Sequence, residues 1–292
     1  MGGIQSTIEV NDQTYTILKK IDKGYYTTVY LTRRQSDGKK CILKKISVNN
    51  NSVLFLHGKE EIEIMKRLSS KPNCRPYIVC LYDSKVTSDF IYIIMEYING
   101  SDMFDYILNY RKLNKTFIDF DTFNKWFRQA IIGLCFIHKL GIIHRDIKPS
   151  NILIDVNKNL KFIDFGMSTP YSKEYNISTN EGTECFLEPY LKSACYYTDI
   201  YALGITFISI ISDEFCDTQM LSKIIDSIQF PSKYKYYKTL LHEMIKPTAD
   251  RPSAQEISDF INSNGTKPLL IEDYKKCLKE TGKYEIKSEQ NK

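Results

Sequence analysis

The sequence predicts an α+β protein of two lobes: a small β-rich amino-terminal lobe with one main helix, and a larger helical lobe. Three observations carry this expectation. Short runs between residues 15 and 46 alternate apolar and polar groups, the period of half-buried strands. Between Lys59 and Leu68 the period changes to that of a helix. A long apolar stripe from Asp121 to Leu140 then opens a series of helical segments that reaches residue 262.

Taken in order, Tyr15-Thr16-Ile17-Leu18, Thr28-Val29-Tyr30-Leu31 and Cys41-Ile42-Leu43 are the strands of an antiparallel meander. The turn signals Asp22-Lys23-Gly24 and Asp37-Gly38 separate them. Ile62, Met65 and Leu68 share one helical face. Two more strands are predicted at Ile78 to Tyr82 and Ile91 to Met95, the second a continuous apolar run typical of a covered strand. After Asn99-Gly100 the pattern turns helical. Within the long stripe Phe123, Trp126, Phe127, Ala130, Ile131, Leu134, Ile137 and His138 recur at steps of three and four, so the aromatics and His138 read as packing. Asp121 is placed to cap the start of this helix, and Gly141 to take the left-handed conformation past its end. Further helices are predicted over 198–211, 218–228, 235–245 and 253–262. The resulting boundaries are an N-terminal segment 1–14, a first lobe 15–95, a connector 96–100, a second lobe 101–264 and a charged tail 265–292.

Composition bounds the function. With 292 residues, 42% hydrophobic and 26% charged, the chain has material for a sizeable core. A net charge of +5, dispersed along the chain, argues against a nucleic-acid surface. The eight cysteines form no Cys-x-x-Cys pair and the four histidines bring no neighbouring second ligand, so reduced thiols in a cytoplasmic protein are expected. Ile200 to Ile211 is too short to span a bilayer, and secretion is not expected, because no basic segment followed by an apolar run stands at the start. Met1-Gly2-Gly3-Ile4-Gln5-Ser6 fits the acylation pattern Met-Gly-x-x-x-Ser/Thr, in which Gly2 accepts a myristoyl chain. One such chain supports only weak, reversible membrane contact. The 13 glycines are few, so each one in a motif counts singly.

The chemistry-bearing run follows the long helix. It reads His144-Arg145-Asp146-Ile147-Lys148-Pro149-Ser150-Asn151, and Asp164-Phe165-Gly166 begins eighteen residues after Asp146. This combination resembles the eukaryotic-type protein kinase family, and the resemblance extends from about Tyr15 to Phe260. It implies a bilobal kinase-like fold and transfer of the γ-phosphoryl of ATP to a hydroxyl, a reaction served by positioning and charge stabilisation. Asp146 would orient or deprotonate the hydroxyl, and Lys148 would neutralise the transferring group. Asn151 and Asp164 are hard oxygen ligands for Mg²⁺, with Mn²⁺ an alternative.

The same resemblance assigns partners upstream. Cys41-Ile42-Leu43-Lys44 is similar to the family's Val-Ala-Ile-Lys strand, which makes Lys44 the α/β-phosphate ligand. Glu61 is its ion-pair partner, because apolar residues follow it at the steps a buried face requires. Lys45, Glu60 and Glu63 are read as solvated charges. Met95 is the gatekeeper, Glu96 and Ile98 supply hinge backbone groups for adenine, and Asp102 holds the ribose. Ile21, Gly24 and Val29 line the loop over the nucleotide. Met65, Leu81, His144 and Phe165 stack as a hydrophobic spine. Lys148 and Gly182-Thr183 favour a protein substrate with a serine or threonine acceptor. Among Ser168, Thr169, Ser172, Ser178 and Thr179, a phosphorylated Thr179 is expected to pair with Arg145.

Two departures stand out. The glycine-rich loop is reduced to Asp22-Lys23-Gly24-Tyr25-Tyr26-Thr27-Thr28-Val29, which predicts a stiffer loop and weaker ATP binding. Ala-Pro-Glu is replaced by Glu188-Pro189-Tyr190, which leaves the partner of Arg251 open between Glu188, the Tyr190 hydroxyl and a backbone carbonyl. A pseudokinase, binding nucleotide as a scaffold, is the alternative to an active serine/threonine kinase. The intact set Lys44, Glu61, Asp146, Asn151 and Asp164 speaks for the enzyme.

Overall fold

Alternation in the first hundred residues folds into one antiparallel sheet. In a computed structural model, which describes residues 6–49, 51–69, 74–171, 184–189, 194–212 and 220–267, this sheet has six strands. They are β1 (Thr7–Val10), β2 (Gln13–Lys23), β3 (Thr27–Arg34), β4 (Lys40–Ser47), β5 (Leu81–Val86) and β6 (Phe90–Glu96), ordered β1-β2-β3-β4-β6-β5. The predicted meander is thus the centre of a larger sheet, whose first strand precedes Tyr15. Asp22 and Lys23 belong to β2, paired with Val29 and Thr28, so the turn lies at residues 24–26 and not at Asp22-Lys23-Gly24. Val10, Tyr15, Cys41, Leu43 and Ile94 pack together on one side of the sheet.

The strand expected at Ile78 to Tyr82 is displaced: β5 starts at Leu81. Ile78 instead forms a parallel bridge to Phe162 in the second lobe. Burial there comes from the lobe junction, and an apolar run reports burial without naming its cause. Helix α1 (Ser52–Leu68) begins seven residues before the periodic stripe does. Asn51 caps it, accepting from Val53 and Leu54 N–H at 3.1 Å each. Exposed Val53 and Leu56 mask the amphipathic period in its first turns.

The remainder is helical, with small sheets at the junction. Short strand β7 (Gly100–Asp102) leads into α2 (Met103–Asn114) and then α3 (Phe120–Lys139). The cap of α3 is Asp119, whose carboxylate accepts from Thr122 N–H at 2.8 Å, and not the predicted Asp121. Gly141 does take a left-handed conformation, with φ +67. Strands β8 (Ile142–Ile143), β9 (Ile152–Asp155), β10 (Leu160–Phe162) and β11 (Thr169–Pro170) follow. They pair as β10-β9-β7 and β11-β8. Helices α4 (Tyr196–Ser209), α5 (Leu221–Ser227), α6 (Tyr236–Met244) and α7 (Ala254–Asn262) complete the lobe. Helix α7 starts with a full capping box between Ser253 and Glu256.

The aromatic stripe of α3 does form core. Phe123, Trp126 and Phe127 are fully buried, and Phe127 lies 4.8 Å from Phe207 between ring centroids. Helix α4 is buried nearly all round, the environment its apolar run requires. The expectation of reduced thiols fails: Cys74 and Cys80 are disulfide-linked, with Cα atoms 5.5 Å apart. Cys185 is disulfide-bonded as well, whereas Cys41, Cys135 and Cys195 are free. Burial pushes the Cys135 thiol up to about 12 and the Cys195 thiol up to about 11, which keeps both protonated and inert.

Candidate active site

Strand alternation aims Lys44 into the cleft between the lobes, opposite Val29 in the register of β3 and β4. Its Nζ lies 2.7 Å from Glu61 Oε1 and 2.8 Å from Asp164 Oδ1. Glu61, on the inner face of α1, is buried. Burial opposes the charge of Lys44, yet Glu61 and Asp164 outweigh it and hold the ammonium above its ordinary pKa. Burial pushes Asp164 upward too, but Lys44 and the Gly166 N–H draw its carboxyl below the usual range. Lys45 faces the opposite way, with Nζ 3.8 Å from the Phe90 ring centroid. It is a cation over an aromatic face and not merely a solvated charge.

Asp146 sits on the loop after β8. Asn151 Nδ2 donates to Asp146 Oδ2 at 2.7 Å and to its carbonyl at 2.9 Å. Lys148 Nζ lies 2.9 Å from the same carboxylate oxygen. The loop is itself held from α4: Asp199 accepts from His144 N–H and Arg145 N–H at 2.8 Å each. His138 Nε2 is 2.9 Å from Asp199 Oδ2, so this residue extends the polar network and is not simply packing. Arg145 and Asp164 both adopt positive φ, 68 and 60. Backbone outliers of this kind cluster at working sites.

Met65, His144 and Phe165 are buried, and Leu81 packs against the same core. The His144 and Phe165 rings are 4.9 Å apart. Burial holds the His144 imidazole below its ordinary pKa although Asp199, Asp146 and Asp164 favour its proton. Met95 and Ile98 are buried at the hinge. The Glu96 side chain, for which the sequence offered no role, contacts Lys161 Nζ. Asp102 caps α2, accepting from Asp105 N–H at 2.9 Å. In the nucleotide loop Ile21 and Gly24 are exposed and Val29 is half-buried. Ser168 and Thr169 are buried, which removes them from the candidate phosphorylation sites. Gly2, Ser172, Ser178, Thr179, Gly182, Thr183 and Tyr190 lie outside the described residues.

The protein kinase domain model matches residues 15–266. The chain belongs to the protein kinase family. It is 31% identical over 203 residues to NUAK family SNF1-like kinase 1 of Mus musculus, an alignment covering 68% of this chain and 29% of that protein. It is 34% identical over 173 residues to the probable serine/threonine-protein kinase KIN1 homolog of Enterocytozoon bieneusi, covering 58% and 28%. CBL-interacting serine/threonine-protein kinase 18 of Arabidopsis thaliana is 35% identical over 156 residues, covering 53% and 28%. The chain thus spans less than a third of the length of these curated relatives.

In this kinase domain the two Nη atoms of Arg251 are paired in a way its sequence left open, while its buried Nε has no hydrogen-bond partner among the described residues. Nη1 lies 2.8 Å from Glu188 Oε2 and donates to Tyr197 O at 2.6 Å, while Nη2 donates to Lys246 O. Glu188 also accepts from Thr248 Oγ1 at 2.7 Å. The residues fit a nucleotide with its metal. Asn151 and Asp164 offer oxygen donors, and the Asp164 side chain is half-exposed. A Cβ added at Gly166 would come within 3.1 Å of Lys44 Nζ and 3.3 Å of Asp164 Oδ1, so glycine keeps the cleft floor open. Among the described residues no cluster of three His, Cys, Asp or Glu side chains forms a closed metal cage. No helix among the described residues is long and apolar enough to cross a membrane.

Proposed function

We propose that this domain transfers the γ-phosphoryl group of ATP to serine or threonine hydroxyls of protein substrates. The observation that carries the reading is the pairing of two polar groups in one cleft: Lys44 held between Glu61 and Asp164, and Asp146 held between Asn151 and Lys148. Lys44 is fixed and charged, as a ligand for the α- and β-phosphates must be. Asp146 is oriented by its two partners so that a carboxylate oxygen meets the attacking hydroxyl and receives its proton. Lys148 stands against that carboxylate and offsets charge on the transferring group. Asn151 and Asp164 would hold Mg²⁺, which supplies charge neutralisation of the phosphate oxygens.

Lys148 supports serine or threonine as acceptor, as do relatives whose names give serine/threonine-protein kinase. The adenine meets the hinge at Glu96 and Ile98, and the loop of Ile21, Gly24 and Val29 covers the nucleotide. Incubation with labelled ATP, Mg²⁺ and generic protein substrates tests this. Wild type should label serine and threonine, and Asp146→Asn should lose roughly a hundredfold or more of that rate. Equal labelling by both proteins would refute the assignment. Nucleotide binding without any transfer would establish the scaffold instead.

A further inference from the structure

A closed ring of bonds joins the hinge to the strand that leads into Asp164. Glu96 N–H donates to Cys80 O at 2.9 Å, and the Glu96 carboxylate accepts from Cys80 N–H at 3.3 Å. Val79, beside Cys80, donates its N–H to Phe162 O at 2.9 Å, and Phe162 N–H returns to Tyr77 O at 2.9 Å. Lys161 precedes Phe162 in β10, and its Nζ lies 2.7 Å and 2.6 Å from the two carboxylate oxygens of Glu96. This last link closes the ring through two side chains 65 residues apart in sequence. It is also the link that spans from hinge to β10 directly.

The pair is drier than an ordinary surface ion pair, with the Lys161 and Glu96 side chains 16% and 22% exposed. Both carboxylate oxygens are engaged, so the hinge side chain has little freedom to rotate. Asp164 stands three residues beyond Lys161, and Ile163 N–H between them donates to Asn151 O at 3.0 Å. The hinge backbone and the metal-binding pair are therefore tied to one short strand.

We propose that the Glu96–Lys161 pair positions the nucleotide, by fixing the hinge groups that take adenine relative to Asp164. Lys161 is a positioning residue: it acts through Glu96. The inference rests on the phosphotransfer reading above, and its effect is on the adenine end of the ligand. The general alternative, a pair that only stabilises the junction between the lobes, predicts a different pattern of losses.

Isothermal titration calorimetry on the intact chain, with adenosine and separately with Mg²⁺ and ATP, separates these cases. Lys161→Met should weaken adenosine and ATP by the same factor, about tenfold. Lys161→Arg should restore most of the affinity. Lys44→Ala, as control, should weaken ATP and leave adenosine unchanged. In kinetics, Lys161→Met should raise KM for ATP and leave KM for a peptide acceptor unchanged. If Lys161→Met folds poorly, Glu96→Gln, which keeps an acceptor for Cys80 N–H, should show the same adenosine loss in smaller measure. A lowered melting temperature with both affinities unchanged would overturn the proposal. Wild type binding neither ligand would overturn it together with the phosphotransfer reading, a result distinct from selective failure of the variants.

Discussion

Removing the Glu188 carboxylate should be among the most damaging single changes outside the cleft. The Arg251 side chain is fully buried and that of Glu188 is 10% exposed. Glu188→Ala deletes the countercharge and the Thr248 hydroxyl's acceptor, and leaves a guanidinium with two neutral carbonyls, those of Tyr197 and Lys246. Breaking a buried pair from one side costs about 3–5 kcal/mol. The surviving carbonyls put the expected loss near the lower end, about 3 kcal/mol. For a domain of this size that is a fall in melting temperature of roughly 10 °C. Urea unfolding followed by fluorescence of Trp126, the single tryptophan and a fully buried one, reads the change directly. The double variant Glu188→Leu with Arg251→Met removes both charges, and should lose at least about 1 kcal/mol less than Glu188→Ala. A single variant within about 1 kcal/mol of wild type, or a double variant no better than the single, would refute the argument.

Three further outcomes follow from the geometry. His144 is buried with its pKa held below the ordinary value, so the unfolded chain takes up its proton first as pH falls. Its contribution is complete above about pH 6.5 and declines below it by at most about 1.4 kcal/mol per pH unit, until the folded pKa is reached. His144→Phe should flatten the urea midpoint between pH 6.5 and 5 relative to wild type; an unchanged slope would show that other groups dominate. Gly166→Ala places a Cβ against Lys44 Nζ and Asp164 Oδ1, and should reduce kcat about a hundredfold with little change in melting temperature. Full activity in that variant would mean the Lys44–Asp164 contact is dispensable. Reducing Cys74–Cys80, which are six residues apart, should cost about 2 kcal/mol by the loop-entropy relation. Cys74→Ser should reproduce that loss in the absence of reductant, measured as the shift in urea midpoint.

How much was legible depended on distance along the chain. The cluster of Asp146, Lys148 and Asn151 could be read because the three lie within one turn-rich segment, and the core of α3 because eight residues from Phe123 to His138 repeat one period. Boundaries were harder, since Asp119 and Asp121 are both good caps and only the bond to Thr122 N–H decides between them. Strand β5 was misplaced because Ile78 and Val79 are apolar for the sake of β10, a partner more than eighty residues away. The same limit hid the long-range polar contacts that no motif marks, whereas Lys44 with Glu61 was reached through the resemblance. His138 with Asp199 and Glu96 with Lys161 are separated by 61 and 65 residues, and no local period marks them. Arg251 was the exception: a missing acid at Tyr190 announced that some substitute had to exist, without saying that Glu188 was it.

The scarcity of glycine takes on a different meaning once the positions are compared. In the loop between β2 and β3, Gly24 N–H donates to Thr27 O at 2.8 Å, which extends the pairing of Lys23 with Thr28 to the base of the bend. Gly24 has no positive φ, and a Cβ there would meet Thr27 O at 3.7 Å, an ordinary contact. The backbone of this turn therefore does not require glycine, and the side chains of Asp22 and Thr27 are accommodated within the hairpin. Asp22 spends one carboxylate oxygen on Lys23 N–H, at 2.8 Å. Gly166 is the opposite case, since its missing side chain is the space in which Lys44 approaches Asp164. Glycine is thus dispensable to the backbone of this turn, whereas a side chain at position 166 would crowd the contact between Lys44 and Asp164.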